Sequence, residues 1–135
     1  MTEGHKRENI ALEVALARRK AQDAATLMTA QGYGSAISLA YYSAFHYATA
    51  LLLMEGQEAR THGGVSHLLS MHFVRTGRLA PAVAGLLSQL FGFRQQADYD
   101  AASIFDQAMA IEWLDKAAQF GEAATRLLTD SGYLD

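Results

Sequence analysis

Residues 34–54 form a run of 21 residues without Asp, Glu, Lys or Arg. A helix of this length can cross a bilayer, so the chain must place the run either in a membrane or inside a fold. The run contains eight Ser, Thr, Tyr and His residues, whose side chains are costly in lipid. The sequence therefore predicts a central helix that is buried on most sides and does not enter a membrane.

The composition favours a compact helical protein. Cysteine is absent among the 135 residues, which excludes disulfide scaffolds, zinc–thiolate sites and cysteine nucleophiles. Half of the residues are apolar and 19% are charged, a balance that supports a packed core. Proline occurs once, and the abundance of Ala and Leu indicates helices. We expect one all-α domain over residues 1–135, with its core at about residues 8–128.

Apolar residues recur at steps of three or four along most of the chain, the spacing that places them on one face of a helix. Ser35 is a predicted N-cap, and Pro81 suits the first turn of a later helix. Ser103, with Asp106 three residues later, predicts the start of the last helix. The predicted helices cover about residues 6–31, 35–55, 65–76, 81–99 and 103–128. Short connections favour an antiparallel, up-and-down bundle of four to five helices.

The histidines are separated in a way that does not indicate a metal site. Residues 57–64 are polar and glycine-containing, as in a loop, and this loop would present His62. His62, His67 and His72 are five residues apart, whereas ligands on one helix face are three or four apart. His46 lies in the central helix, where a hydrogen bond to a neighbouring group is the expected role.

The central helix also carries an aromatic cluster. Its members are Tyr41, Tyr42, Phe45, His46 and Tyr47. Such a cluster can stack on nucleobases. No Lys or Arg is interleaved with it, which favours a place in the core or in a dimer interface.

Arg94 and Asp98 form a charged pair at the end of the fourth predicted helix. Residues four apart share a helix face, so the pair can be an ordinary helix-end contact. It can also be a site, in which Arg94 provides a fixed positive charge for a phosphate and Asp98 holds the guanidinium. The net charge of −3 gives no overall attraction for nucleic acid, so contact with RNA or nucleotides would depend on such local groups.

Five short motifs carry a resemblance to a known family. They are AYYSAFH at 40–46, LLL at 51–53, THGGV at 61–65, HFVRTG at 72–77 and RQQADYD at 94–100. In this order and spacing the chain resembles the HEPN superfamily, and more narrowly its small stand-alone UPF0332 proteins. The resemblance covers about residues 8–128. It implies a dimerising helical bundle, often encoded beside a minimal nucleotidyltransferase as a two-gene toxin–antitoxin module.

Many HEPN proteins are metal-independent ribonucleases, and their motif is an Arg, a polar residue and a His five to seven residues after the Arg. Arg94 and Gln95 match the opening of this motif and are the candidate RNA-binding residues. Tyr99, Asp100 and Ala101 stand where the His would fall. Because the chain departs from the motif at this point, the resemblance leaves open whether it is an enzyme.

Metal-free RNA cleavage needs proton transfers, which suit a group that titrates near neutral pH. Histidine, with a free pKa of about 6.5, fits better than Asp near 3.9 or Tyr near 10. The candidate catalytic residues are Arg94, Asp98 and Tyr99, with His62 as the substitute for the missing histidine. Some HEPN toxins are modified by the partner transferase on a Tyr seven residues after the Arg. That position is Ala101 here, and Tyr99 is the nearest alternative.

Two functions of different classes follow from the resemblance. In the first, the chain is the HEPN half of a nucleotidyltransferase-paired module and acts on RNA or nucleotides at Arg94. It would be a homodimer in which the second helix and the end of the fourth meet, so that Arg94 is duplicated across a cleft. In the second, the chain is a non-catalytic module that binds a nucleotide or a partner protein, and a plain helical scaffold is a third reading. The polar N-terminal residues predict a cytoplasmic location, and we expect no cofactor and no metal.

Overall fold

The computed structural model describes residues 2–99 and 105–135. In these ranges the chain forms five α-helices and one turn of π-helix. Their bounds are Glu3–Thr29 for α1, Tyr33–Met54 for α2, His62–Leu69 for α3, Ser70–Val74 for the π turn, Pro81–Tyr99 for α4 and Gln107–Asp130 for α5. The all-α class and the five helices predicted from the apolar periodicity are confirmed.

The uncharged run of the sequence forms α2, and every other helix packs against it. Ser43 in α2 donates a hydrogen bond to the carbonyl of Ala17, and His46 contacts Glu13 one turn earlier in α1, so the two helices are antiparallel. By its length and its mean hydropathy of 1.2 alone, α2 could span a membrane. However, 67% of the 18-residue stretch of α2 that has this hydropathy is buried inside the bundle. Such burial is typical of a core helix.

All of these helices and the π turn contribute to one continuous core. The largest side chains with almost no exposed surface are Ile10, Val14, Ile37, Leu51, Leu52, Val65, Leu69, Phe73, Leu87, Leu90, Phe120 and Leu128. Because each element buries at least one of them, the helices depend on one another for the apolar surface that stabilises them.

The predicted N-cap role of Ser35 is wrong. Gln31 adopts φ 61°, and the Gly32 N–H donates to the Leu27 carbonyl at 2.9 Å, a hydrogen bond that closes a helix C-terminus. This compact turn leaves three residues between α1 and α2. As a result α2 begins at Tyr33, and Ser35 lies inside its first turn.

The start of α4 agrees with the prediction, whereas the start of α5 does not. Pro81 is the first residue of α4, where its missing N–H has no helical partner to lose. The Asp106 carboxylate accepts a hydrogen bond from the Met109 N–H at 2.8 Å and is itself the N-cap, so α5 begins at Gln107. The predicted cap, Ser103, lies outside the described residues.

Gly121 sets how closely α5 approaches α2. A Cβ atom at this position would lie 2.7 Å from the Tyr47 ring. Gly121→Ala gains about 1 kcal/mol of helix propensity but must displace the ring, and such overpacking costs about 1–3 kcal/mol. We expect a net loss of up to about 2 kcal/mol in the free energy of unfolding, measured by urea denaturation. Gly85→Ala, with no other group within 4 Å of its Cβ, should instead gain about 0.5–1 kcal/mol, and equal effects would contradict the close contact.

Candidate functional site

Among the residues that the structure describes, Asp98 and Tyr42 contact the Arg94 guanidinium. Its Nε lies 2.9 Å from Asp98 Oδ2, and its Nη2 donates to the Tyr42 hydroxyl at 2.7 Å. The Tyr42 ring centroid is 5.2 Å from Arg94 Cζ. The Arg94 side chain is 19% exposed. The positive charge is therefore held in one place with part of it open to solvent, an arrangement that suits the binding of a phosphate.

Asp98 uses both carboxylate oxygens to connect α2 with α4. Oδ2 pairs with Arg94, and Oδ1 accepts a hydrogen bond from the buried Ser38 hydroxyl at 2.9 Å. The ion pair predicted from the four-residue spacing is present. Since Ser38 contacts Asp98 and Tyr42 contacts Arg94, α2 and α4 are antiparallel. Asp98 lies on α4 and orients the Arg94 guanidinium, while Ser38 of α2 holds Asp98 in place.

His62 is the first residue of α3, not a loop residue as the sequence suggested. Thr61 is the N-cap, and its hydroxyl accepts a hydrogen bond from the Gly64 N–H at 3.0 Å. A Cβ on Gly64 would lie only 3.1 Å from that same hydroxyl oxygen, so glycine leaves room for the cap. The cap starts the helix three residues before the predicted Val65, and this places the imidazole between α2 and α4.

The His62 ring has a stacking partner on one face and polar neighbours at both ring nitrogens. It stacks on Phe91 with 4.0 Å between ring centroids and 5° between planes. Its Nδ1 lies 3.1 Å from the Tyr41 hydroxyl. Its Nε2 lies 3.2 Å from the Ser66 hydroxyl and 3.3 Å from that of Ser88. The imidazole therefore has one orientation, with Nε2 directed at two serine side chains.

Tyr41 joins the His62 end of this region to the Arg94 end. Its ring centroid is 5.8 Å from that of His62 and 5.3 Å from that of Tyr42. Burial raises the pKa of Tyr41 to about 12, although the nearby charge of Arg94 acts in the opposite direction. Tyr41 is thus protonated at neutral pH. His62 stacks on Phe91, and Phe91 and Arg94 are three residues apart on α4, so His62 and Arg94 belong to one connected group of side chains.

We call this group the Arg94–His62 cluster. It consists of Ser38, Tyr41, Tyr42, His62, Ser66, Ser88, Phe91, Arg94 and Asp98. Three helices supply its members: α2, α3 and α4. It combines a fixed cation, an imidazole and several hydroxyls, the groups that can bind a phosphate ester and exchange protons with it.

Burial lowers the pKa of His62 below its ordinary 6.5, which makes the stability of the fold depend on pH. Between that lowered pKa and 6.5 the unfolded chain binds more protons at this residue than the folded chain does. The free energy of unfolding therefore decreases as the pH falls through about 6.5. Urea denaturation between neutral and mildly acidic pH should show this decrease in the wild type and a smaller one in His62→Gln. Equal slopes would contradict a lowered pKa of His62 in the folded chain.

The other predicted site residues are placed as follows. Gln95 is exposed on α4, directly after Arg94. Tyr99 is the last residue of α4, and its side chain lies outside the described part of the structure. Asp100 and Ala101, the alternative positions for the missing histidine, lie outside it as well.

Several members of the cluster could not be identified from the sequence. The sequence places Tyr41 and Tyr42 in the core or in a dimer interface, and Tyr41 is 3% exposed. Their spacing from Ser38 places the three residues on one face of α2, but nothing in the sequence says that this face meets Arg94. His46 has the expected neighbour, since its Nδ1 lies 2.7 Å from Glu13 Oε2.

Comparison with known proteins identifies the family. The HEPN domain model matches residues 14–128. A UPF0332 protein of Thermotoga maritima is 30% identical over 84% of this chain and 86% of its own, and one of Archaeoglobus fulgidus is 30% identical over 87% and 93%. A protein of Methanocaldococcus jannaschii named "Putative toxin MJ0605" is 30% identical over 69% of each chain. The chain therefore belongs to the HEPN family, among its UPF0332 proteins.

Proposed function

We propose that this protein is the toxin component of a toxin–antitoxin module and that it cleaves RNA at the Arg94–His62 cluster without a metal ion. The observation that carries the proposal is the Arg94 guanidinium, which Asp98 and Tyr42 fix in a cluster that also contains the His62 imidazole. The names of relatives such as the Methanocaldococcus protein support a toxin role. With a net charge of −3, binding of RNA depends on this local cation rather than on an overall field.

Arg94 binds the scissile phosphate and stabilises the negative charge that develops on it as a fifth oxygen approaches phosphorus. Asp98 acts as a positioning residue, because both of its oxygens are already engaged by Arg94 and Ser38. Gln95 offers a polar side chain next to the phosphate on the exposed side of α4. Tyr99 remains a predicted participant on the basis of its position in the motif.

The proposal includes a homodimer in which α2 and the end of α4 meet, so that two copies of Arg94 face one cleft. Tyr42 and Phe45, which are only partly buried on this side of α2, support an interface there. Light scattering on the purified protein should give the mass of a dimer. Tyr42→Glu, which adds a charge at the interface, should give a monomer, and a wild-type monomer would contradict this arrangement.

The partner is proposed to be a minimal nucleotidyltransferase that neutralises the toxin in the cytoplasm. This part rests on the family resemblance. Two observations test it: a transferase gene next to the gene for this chain, and growth rescue when the two are expressed together. If there is neither a neighbouring transferase gene nor growth rescue, the proposed nucleotidyltransferase partner is contradicted.

The test of the toxin function is inducible expression in a tolerant host without the partner. Wild type should arrest growth and degrade a defined class of RNA in the same cultures, and Arg94→Ala should do neither. Arg75→Ala, which removes an exposed arginine outside the cluster, is the matched control and should behave as wild type. Growth arrest by both wild type and Arg94→Ala would contradict cleavage at Arg94.

The second candidate is a non-catalytic module that binds a nucleotide or a partner protein through the same cluster. The absence of histidine at residues 99–101 favours it. It predicts intact RNA and normal growth with wild type, together with binding of a labelled single-stranded RNA that Arg94→Ala abolishes. RNA degradation that depends on Arg94 would exclude this candidate.

A further inference from the structure

The outer face of α1 carries exposed apolar side chains. Leu12 and Leu16, one helical turn apart, are 62% and 43% exposed. Ala11 and Ala15 are exposed beside them. Ala17 and the other buried residues of this helix lie on the opposite side, where α1 packs on α2. An exposed apolar patch on a helix whose other face is already buried is typical of an interaction surface.

Two charged residues lie in line with this patch, one at each end. Glu8 comes four residues before Leu12, and Arg19 comes four residues after Ala15. Both charged residues are exposed. Because steps of four, three and four residues stay on one side of a helix, these four positions form a single line. We call Glu8, Leu12, Ala15 and Arg19 the α1 stripe.

The α1 stripe is complementary to itself when a second copy of the helix runs in the opposite direction. With a two-fold axis midway between residues 13 and 14, Leu12 of each copy lies opposite Ala15 of the other. The same axis places Glu8 of each copy opposite Arg19 of the other, so both charged contacts are attractive. A parallel pair would instead bring Glu8 against Glu8 and Arg19 against Arg19, which repel.

We propose that two copies of this chain pair through the α1 stripe, with their α1 helices antiparallel. Burial of Leu12 against the small Ala15 side chain provides the affinity. The contacts of Glu8 with Arg19 fix the direction and register of the two helices. This surface points away from α2, so it is separate from the dimer interface proposed at α2 and the end of α4. The pairing does not depend on the ribonuclease function.

The α1 contact should form at a higher protein concentration than the interface at α2 and α4. It involves about three turns of one helix from each copy, and interfaces of small area are weak. At low concentration the mass should therefore be that of the proposed dimer. Each such dimer presents two α1 stripes, so further pairing joins dimers and raises the average mass as the concentration increases.

Reversal of charge tests the direction of the pairing. Sedimentation equilibrium on the full chain measures how the average mass rises with concentration. Glu8→Arg and Arg19→Glu should each weaken the pairing about tenfold, because like charges then meet at both ends. An equimolar mixture of the two variants should pair as wild type does, since opposite charges meet again. Glu112→Arg makes the same charge change at an exposed position on α5 and should have no effect.

Cross-linking tests the register. The chain has no cysteine, so an introduced cysteine is its sole thiol. A mixture of Glu8→Cys and Arg19→Cys chains should give a covalent dimer with a short bis-maleimide reagent. Neither variant alone should do so, because two copies of one position lie about 16 Å apart along the axis of an antiparallel pair. Cross-linking of each variant with itself would contradict the antiparallel arrangement.

A substitution within the apolar part tests the source of the affinity. Leu12→Glu places a charge at the centre of the contact and should abolish the rise in mass. Ile111→Glu is the matched control, because Ile111 is 55% exposed on α5 and lies outside the stripe. Both side chains are mostly exposed, so both variants should fold, which circular dichroism checks.

The proposal expects a mass that rises with concentration, loss of this rise in Leu12→Glu, and recovery of pairing in the mixture of the two charge-reversed variants. A wild-type mass that stays constant to the highest concentration would overturn the pairing and leave the α1 stripe to a different protein. A rise in mass that Leu12→Glu and Glu8→Arg leave unchanged would overturn it too, because another surface would then be responsible. Neither result would affect the proposed ribonuclease, which is tested by cleavage at Arg94.

Discussion

Replacing Phe73 by alanine is expected to lower the free energy of unfolding by about 3–5 kcal/mol, because the variant loses a large buried ring and leaves a cavity. Phe73 has no exposed surface and lies in the π turn between α3 and α4. The Arg78 guanidinium lies 4.4 Å from its ring centroid and also donates to the carbonyl of His72 at 2.9 Å. The truncation therefore weakens the turn as well as the core, and urea denaturation measures the sum.

Met71→Ala is the matched control for Phe73→Ala. Met71 lies in the same turn but is 39% exposed, so its truncation should change the free energy of unfolding by about 0.5 kcal/mol or less. Small proteins have a total stability of about 5–15 kcal/mol. Phe73→Ala should consequently bring the chain close to unfolding, and equal losses in the two variants would contradict the buried position of the ring.

For the proposed ribonuclease, replacing Arg94 by lysine is expected to slow RNA cleavage about 100-fold while the positive charge is kept. Lysine carries a compact charge on a flexible stem and lacks the planar fork that reaches Asp98 and Tyr42 together. Removal of one such fixed donor from a developing negative charge costs about 10²–10³-fold in rate. Single-turnover cleavage of the labelled RNA measures this effect.

Binding separates the role of the charge from the role of the fork. Because lysine still attracts a phosphate, Arg94→Lys should bind a labelled 2′-deoxy oligonucleotide, which cannot be cleaved at a 2′-hydroxyl, much more tightly than Arg94→Ala does. Arg75→Lys, at an exposed position outside the cluster, should cleave as wild type. If Arg94→Lys also cleaved at the wild-type rate, the contacts of the guanidinium with Asp98 and Tyr42 would have no part in catalysis.

The sequence predicted the helices well and their starts less well, for local reasons. Apolar periodicity depends on which face of a helix is buried, so it located all five helices. A start depends on a single cap, and Thr61 and Asp106 each cap a helix at a residue that the periodicity did not select. The π turn after Leu69 has no signal in the sequence, because Ser70–Val74 keep the apolar spacing of the preceding helix.

The candidate site could be predicted only where its contacts are local. Arg94 and Asp98 are four residues apart on one helix, and their ion pair was expected from this spacing. The contacts of Arg94 with Tyr42, and of His62 with Tyr41, join residues 52 and 21 positions apart. They depend on the register between helices, which the sequence of a single chain does not encode in any short motif.

The central position of α2 has a consequence for mutational scanning. This helix fills the core and also provides Ser38, Tyr41 and Tyr42 to the cluster, so most substitutions along it should reduce protein abundance and activity together. On α4 the cluster residues Ser88 and Arg94 keep part of their surface exposed. Substitutions there should reduce activity at nearly constant abundance. Comparing the effect of each substitution on activity with its effect on abundance would therefore reveal the site residues on α4 but not those on α2.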